Sequence, residues 1–254
     1  MNNIYEMSGF IEDNEYKDDL NGAFYCNLCE KNSNKFLPIG IRDDFFEQNN
    51  VIGGGYRENA RCPKCRSIDR NRWVYKILKD YTDIFIESCC VLHFAPELII
   101  AKKIKENYRC DYYPADLNFR PNVHRVDVTN IPYKDEMFDY VIINHVLEHV
   151  LDEKKAISEL KRVLKPNGKI VMSFPIALNR LTFSNDEIVT EEDRLKNYGQ
   201  ADHVRLYGRD CKEHFEKYGL KMKSYSPIEY LTEEEIRKNC FIHNDMVFIA
   251  EFVL

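Results

Sequence analysis

Between Cys90 and Val150 the chain repeats one pattern, a short apolar run closed by a polar or acidic residue. Cys90–Phe94 reads as a buried strand, with Pro96–Asn107 as the helix that follows it. Cys110–Ala115 is a second run closed by Asp116, Val123–Val126 a third closed by Asp127, and Phe138–Ile143 a fourth closed by Asn144. Strands alternating with a helix at this pitch predict an α/β fold with a parallel, doubly wound sheet. Such sheets bind ligands beyond the carboxyl ends of their strands. Further on, Ala156, Ile157, Leu160, Val163 and Leu164 share one face of a helix over Asp152–Leu164. Pro166-Asn-Gly168 stops it, and Lys169–Phe174 is the fifth strand. Asp210–Tyr218 reads as a helix, and Leu220–Ser226 and Asp245–Val253 as two last strands joined by 227–243.

The chain's 254 residues suit one large α/β domain with a small appendage, and 44% apolar residues suffice for a core. Its formal charge of −6 disfavours a duplex nucleic-acid binder, which needs a broad basic face. No apolar run approaches the roughly 18 residues of a membrane span. Residues 1–20 are acidic and read as a polar leader without the apolar core of a signal peptide, so the expected location is cytoplasmic.

In a reducing compartment, paired cysteines point to metal rather than to disulfides. Cys26-Asn-Leu-Cys29 and Cys62-Pro-Lys-Cys65 are two C-x-x-C pairs separated by 32 residues, the pattern of a four-thiolate structural Zn2+ site. Residues 21–80 are therefore expected to form a zinc-ribbon-like module, with Gly53-Gly54-Gly55 as a flexible turn. A helix over Ile68–Lys79, with Trp73, Ile77 and Leu78 on one side, links the module to the sheet. Around the second pair lie Arg57, Arg61, Lys64, Arg66, Arg70 and Arg72 against Glu58 and Asp69, a local charge of +4. That cluster fits a solvated face, a phosphate or RNA contact, or docking against the main domain. Cys89, Cys90, Cys110, Cys211 and Cys240 lack partner spacing and read as buried thiols.

The first strand-to-helix turn, Leu92-His93-Phe94-Ala95-Pro96-Glu97, contains no glycine. This argues against NAD and against a P-loop, because both need close backbone approach to a pyrophosphate. Asp116, at the end of the second strand, can grip ribose hydroxyls. Asp127 can accept from an exocyclic amine, while the Val128 N–H faces a ring nitrogen. The three turns together describe an adenosine ligand without phosphates.

VLHFAPE, ADLN, DVTNIPYKDEMFDYVIINHVLEHV and LKRVLKPNGKIVMSFP resemble a class I S-adenosylmethionine (SAM)-dependent methyltransferase of the type 11-like group, over about residues 88–254. HFAPE departs from the family's usual D-x-G-x-G turn. It is similar to a subset with an upstream cysteine module and a later GQ-x-DHVR-x-YG motif, here Gly199 to Gly208. The resemblance implies a Rossmann-like seven-stranded sheet over 81–254, its last two strands an antiparallel hairpin. It implies SAM as cofactor, held by His93, Phe94, Ala95 and Glu97 in the first turn. Asp116 and Leu117 would take the ribose, Asp127 and Val128 the adenine, and Asn144 and His145 the methionine side.

His145, Glu148 and His149 share a face at i, i+3, i+4 spacing, which suits either packing or a divalent ion. Residues 175–208 interrupt the alternation on the cofactor face and are expected to form a lid-like insert. Within it His203, with His145, is the candidate catalytic group, since imidazole can take a proton from an acceptor. Asp202, Arg205 and Tyr207 are candidate substrate contacts. The expected partner is a small-molecule acceptor, either a sugar, a nucleotide-linked compound or another phosphate-bearing metabolite, as in surface-polysaccharide (capsule) biosynthesis. The alternatives are an RNA methyltransferase and a non-catalytic SAM-binding protein. A membrane partner is not expected, and a homodimer is left open.

Overall fold

The computed structural model describes residues 21–253, so the polar leader at 1–20 lies outside the described residues. Seven strands form the main sheet: β6 (Cys89–Phe94), β7 (Cys110–Asp116), β8 (His124–Arg125), β9 (Phe138–Asn144), β10 (Leu164–Ser173), β13 (Leu220–Tyr225) and β14 (Val247–Phe252). Their order is β13-β14-β10-β9-β6-β7-β8. β6 to β10 run parallel, and β14 is antiparallel to both β10 and β13, the expected terminal hairpin. From β6 the chain winds outward through β7 to β8, then crosses to β9 and winds the other way. The switch point of this doubly wound, Rossmann-like sheet therefore lies between β6 and β9, the place where sheets of this kind bind their ligands.

Alternation along the central strands feeds two cores. Leu92, Phe94, Val141, Ile143, Ile170 and Met172 enter one, while Val91, Tyr140, Ile142 and Val171 enter the other. Burial on both faces explains why these strands read as continuous apolar runs. Helix α3 (Leu98–Lys105) is shorter than expected because Pro96 and Glu97 stay in the strand-to-helix turn. Helix α4 (Glu153–Val163) is capped by Asp152, whose side chain accepts from the Lys155 N–H, and buries Ala156, Ile157, Leu160 and Val163 as predicted. Pro166-Asn-Gly168 breaks the strand register rather than forming a separate loop, because β10 already pairs at Leu164 and resumes at Lys169. Helix α6 (Cys211–Glu216) precedes β13, and α7 (Pro227–Tyr230) and α8 (Glu233–Asn239) fill the link before β14. No helix among the described residues is long and apolar enough to cross a membrane.

The N-terminal segment is built from β1 (Phe24–Cys26), β2 (Lys31–Ser33), β3 (Leu37–Ile39), α1 (Asp44–Gln48), β4 (Val51–Ile52) and β5 (Arg57–Arg61). Helix α2 (Asp69–Tyr81) joins it to the sheet, and the Trp73 indole N–H donates to the Tyr225 carbonyl at 3.1 Å. The segment has no separate core: Cys26, Leu28, Phe36 and Cys62 share one apolar cluster with Trp73, Ile77, Val91, Phe241 and Val247.

The insert at 175–208 contains β11 (Ile176–Ala177), α5 (Glu191–Tyr198) and, at its end, β12 (Tyr207–Gly208). β11 pairs with β12 on one side and with β4 on the other, so insert and N-terminal segment share a small sheet. Gly199 caps α5 at φ +82°, and a Cβ on Gly208 would lie 2.3 Å from the Leu181 carbonyl carbon. The two motif glycines thus answer a left-handed cap and a close backbone crossing.

Candidate functional site

At the end of β6, Ala95 adopts φ +46°, and its N–H donates to the Ala115 carbonyl at 2.8 Å. The turn keeps a left-handed residue without a glycine, at a local cost of roughly 1 kcal/mol. Phe94 is buried beside it. His93, a candidate cofactor residue, is fully buried with both its ring nitrogens engaged. Tyr112 Oη lies 3.0 Å from its Nδ1 and Glu97 Oε2 lies 2.9 Å from its Nε2. Burial raises the Tyr112 phenol, keeping it a donor, and fixes the tautomer in which Nε2–H donates to Glu97. Burial pushes the Glu97 carboxyl up, but the His93 hydrogen bond and neighbouring charge more than offset it, leaving it below the usual range. Asn144 Nδ2 donates to Glu97 Oε1 at 3.3 Å, and Ser173 Oγ donates to Asn144 Oδ1 at 3.0 Å. One polar chain therefore runs from Tyr112 to Ser173 across four neighbouring strands. Neither end carries a sequence motif, although Ser173 closes its strand as Asn144 does.

Asp116 accepts from Asn118 N at 2.9 Å and pairs with Arg120 Nη1 at 3.1 Å, while Leu117 is exposed. A ribose at Asp116 must therefore share it with, or displace, a half-exposed arginine. Asp127 is exposed, and its Oδ1 accepts from both N and Oγ1 of Thr129. Its Oδ2 makes no hydrogen bond among the described residues, and Val128 is buried next to it. These groups suit an adenosine ligand: a strand-end acid, a second acid with an open oxygen, and the left-handed Ala95 turn on the strand beside the first acid.

At the end of β9, His145 adopts φ +52°, with its N–H on the Ser173 carbonyl. Its Nδ1 lies 3.4 Å from Arg70 Nη1 and 3.2 Å from Glu148 Oε1. Nδ1 thus lies between a guanidinium and a carboxylate, and neither Glu148 oxygen completes a hydrogen bond among the described residues. Burial and the Arg70 charge push His145 below its usual range, so the ring is neutral near pH 7. Arg70 comes from α2. Of the basic cluster, Arg57 pairs with Asp69 at 2.6 Å, and Arg72 is fully buried, donating to the Asn239, Ala60, Ser67 and Cys240 carbonyls. These arginines dock the N-terminal segment against the main domain.

The turn Leu147–His149 follows, and the insert folds back over it, with Val204 N donating to the Glu148 carbonyl at 2.9 Å. This crossing brings His203 beside His149, their ring centroids 4.7 Å apart. Burial pushes His203 down to about 4, which makes it a neutral but weak base at pH 7. Glu148 is buried among the rings of His145, His149 and His203, and the approach of His145 Nδ1 to Oε1 at 3.2 Å holds its carboxyl below the usual range against the effect of burial. Asp202 is exposed at its side chain, and its carbonyl lies 3.2 Å from His149 Nδ1.

Arg205 and Tyr207, expected to meet substrate, are instead buried within the fold. Arg205 donates to the Leu147, Val150 and Leu151 carbonyls, clamping the turn. Tyr207 donates to Glu153 Oε1 at 2.6 Å, and Glu153 Oε2 also holds His214 at 2.7 Å and Tyr218 at 3.1 Å. Glu153, an acid on α4 with no motif to mark it, is thus a structural hub of the insert.

The four cysteine sulfurs all lie within 4.8 Å of one another, with Cys26–Cys65 at 3.6 Å and Cys29–Cys62 at 3.8 Å. Tetrahedral thiolates about 2.3 Å from one ion stand about 3.8 Å apart. Both knuckles close alike, with Glu30 N on the Cys26 carbonyl and Arg66 N on the Cys62 carbonyl, and with Glu30 and Arg66 left-handed. Ser67 Oγ lies 3.0 Å from Cys65 Sγ and 3.4 Å from Cys26 Sγ, an outer contact typical of thiolate sites.

Fold and site together define a doubly wound domain with acids and polar groups at the carboxyl ends of its central strands. Residues 77–172 match a family described as "Methyltransferase domain". The chain is similar to an uncharacterized protein of Methanocaldococcus jannaschii, 35% identical over 92 residues, covering 36% of this chain and 42% of that protein. A demethylmenaquinone methyltransferase of Staphylococcus haemolyticus is 48% identical over 52 residues, 20% of this chain and 22% of that protein. The chain thus spans less than half the length of the curated relatives it matches. Among solved structures it resembles the Burkholderia thailandensis 1,6-didemethyltoxoflavin-N1-methyltransferase. That match is 13% identical, with a TM-score of 0.47, and covers 72% of this chain and 78% of the other.

Proposed function

We propose that the protein is a SAM-dependent methyltransferase acting on an oxygen or nitrogen of a small metabolite. The family match over 77–172 supports the reaction class. The observation that carries the cofactor reading is the row of groups at the switch point. Along the strand ends run Asn144 with Glu97, then left-handed Ala95, then the two acids Asp116 and Asp127.

SAM supplies an activated methyl on a sulfonium, and the protein's task is to align an acceptor with it and keep water out. Asp116 holds the ribose once Arg120 yields, and Asp127 Oδ2 takes the adenine amine beside the Val128 N–H. Asn144, fixed by Ser173 and Glu97, orients the methionine side. His145 and His203 stand on the acceptor side, where two neutral rings can hydrogen-bond a hydroxyl or amine. The four thiolates hold a structural Zn2+ whose closed coordination leaves no catalytic position. The internal use of Arg57 and Arg72 takes two charges from any phosphate-gripping surface, which favours a sugar, nucleotide-linked or phosphate-bearing metabolite over RNA as acceptor.

Calorimetry with SAM tests the cofactor, and Asp127→Ala should weaken binding about tenfold, the value of one charge-assisted hydrogen bond. No heat on titrating the wild-type chain would sink the reading. Labelled-methyl transfer into fractionated metabolites and RNA then identifies the acceptor class. His203→Ala should reduce turnover far more than SAM affinity.

A further inference from the structure

We propose that Glu148, His149 and His203 bind a divalent transition-metal ion on the acceptor side of the site. Glu148 is 1% exposed and His203 2%. Among the described residues neither carboxylate oxygen of Glu148, and not Nδ1 of His203, makes a hydrogen bond, although His145 Nδ1 stands 3.2 Å from Glu148 Oε1. A buried, unbonded carboxylate costs several kcal/mol, and folds keep such groups chiefly where a ligand completes them. His145 does not complete it, since its Nδ1 is shared with the Arg70 guanidinium. One ligand atom from each of Glu148, His149 and His203 lies within 4.8 Å of the others, a spread that one ion at about 2.0–2.2 Å from each draws together.

The surroundings are those of a supported site. His149 Nδ1 lies 3.2 Å from the Asp202 carbonyl, so that Nδ1–H donates there and Nε2 keeps its lone pair for a metal. Arg205 pins the carbonyls on either side of the turn, and Val204 N holds the Glu148 carbonyl. His149 is 34% exposed at its side chain, which gives an ion a way in. Two imidazoles and one carboxylate suit Mn2+, Fe2+, Co2+ or Zn2+ better than Mg2+ or Ca2+, and they leave coordination positions open. Those positions fit an acceptor offering a hydroxyl or carboxylate oxygen. That use rests on the function proposed above, whereas binding of the ion does not.

The test is Co2+ titration of the full chain with its cysteine site already filled by Zn2+. One further Co2+ per chain is expected, with a visible spectrum lacking thiolate charge transfer. Its affinity should fall at least tenfold in Glu148→Gln, His149→Ala and His203→Ala. If the two buried variants fail to fold, partly exposed His149→Ala decides alone. No uptake beyond the cysteine cluster, or uptake indifferent to these substitutions, overturns the proposal. Calorimetry with SAM on the same samples separates the two readings. Co2+ uptake without SAM binding supports the ion site and sinks the methyltransferase, while SAM binding without Co2+ uptake does the reverse.

Discussion

Two non-glycine residues, Ala95 and His145, end adjacent parallel strands in the left-handed region, each costing on the order of 1 kcal/mol. Their placement on either side of the switch point marks where stability has been given up for a site. Asp245 is a third such residue. It lies 7% exposed near Asp69, Arg57 and Arg70, and burial, reinforced by the Asp69 charge, pushes it up to about 7. The unfolded chain titrates this group near 3.9. Between roughly pH 4 and pH 7 the folded state therefore binds more protons, and stability falls as pH rises through that window. Asp245→Asn keeps the neutral form at every pH. The variant should match wild type near pH 4 and exceed it by on the order of 2–4 kcal/mol at pH 8. Urea denaturation at several pH values measures the gap, and a gap that does not widen with pH would show that the arginines keep Asp245 charged.

At the scale of elements, what could be read from sequence follows how local the cause of each element is. β6, β9 and α4 were legible because burial on two faces or one stripe writes a continuous or helical apolar pattern. The β4–β11–β12 sheet was not, because two-residue strands such as Val51–Ile52 and Ile176–Ala177 carry no period and are defined only by meeting each other. The same holds for the site. The strand-end acids and the cysteine pairs announce themselves by spacing, whereas His203 reaches Glu148 only through the fold of the insert. Arg205 and Tyr207 looked like substrate groups because a polar motif does not reveal that carbonyls and Glu153 will use its donors. Gly208 tests how far the insert depends on its one close crossing. A Cβ there would sit 2.3–2.5 Å from backbone atoms of Arg180, Leu181 and Thr182, so Gly208→Ala must push β12 away at a cost of roughly 1–3 kcal/mol. Limited proteolysis within 178–209 should accelerate while hydrogen exchange in β6 and β9 stays slow. Equal loosening of the central strands would mean that the insert and sheet unfold as one.

For the molecule as a whole, the question is whether the cysteine segment is an appendage or part of the domain. Its cysteines are spaced like an independent module, yet Cys26, Leu28, Phe36 and Cys62 lie in the cluster that covers one face of the main sheet. Arg72, fully buried over the Phe36 ring, ties Ala60 and Ser67 to Asn239 and Cys240 near the carboxyl end of the chain. Asn27 Nδ2 donates to the Arg72 carbonyl at 3.0 Å, so the first knuckle rests on the same helix. Arg70 carries the connection to His145, which makes the segment a wall of the candidate site as well as of the core. A metal at the four thiolates would then stabilise the whole domain, since the segment's apolar residues share one cluster with the main sheet. Chelation or Cys62→Ser should therefore lower one cooperative transition, by roughly 3–5 kcal/mol or on the order of 10 °C in a chain of this size. It should also weaken SAM-dependent turnover through the displaced Arg70. Scanning calorimetry decides the matter, because an early separate transition with the main one unmoved would make the segment an autonomous module after all.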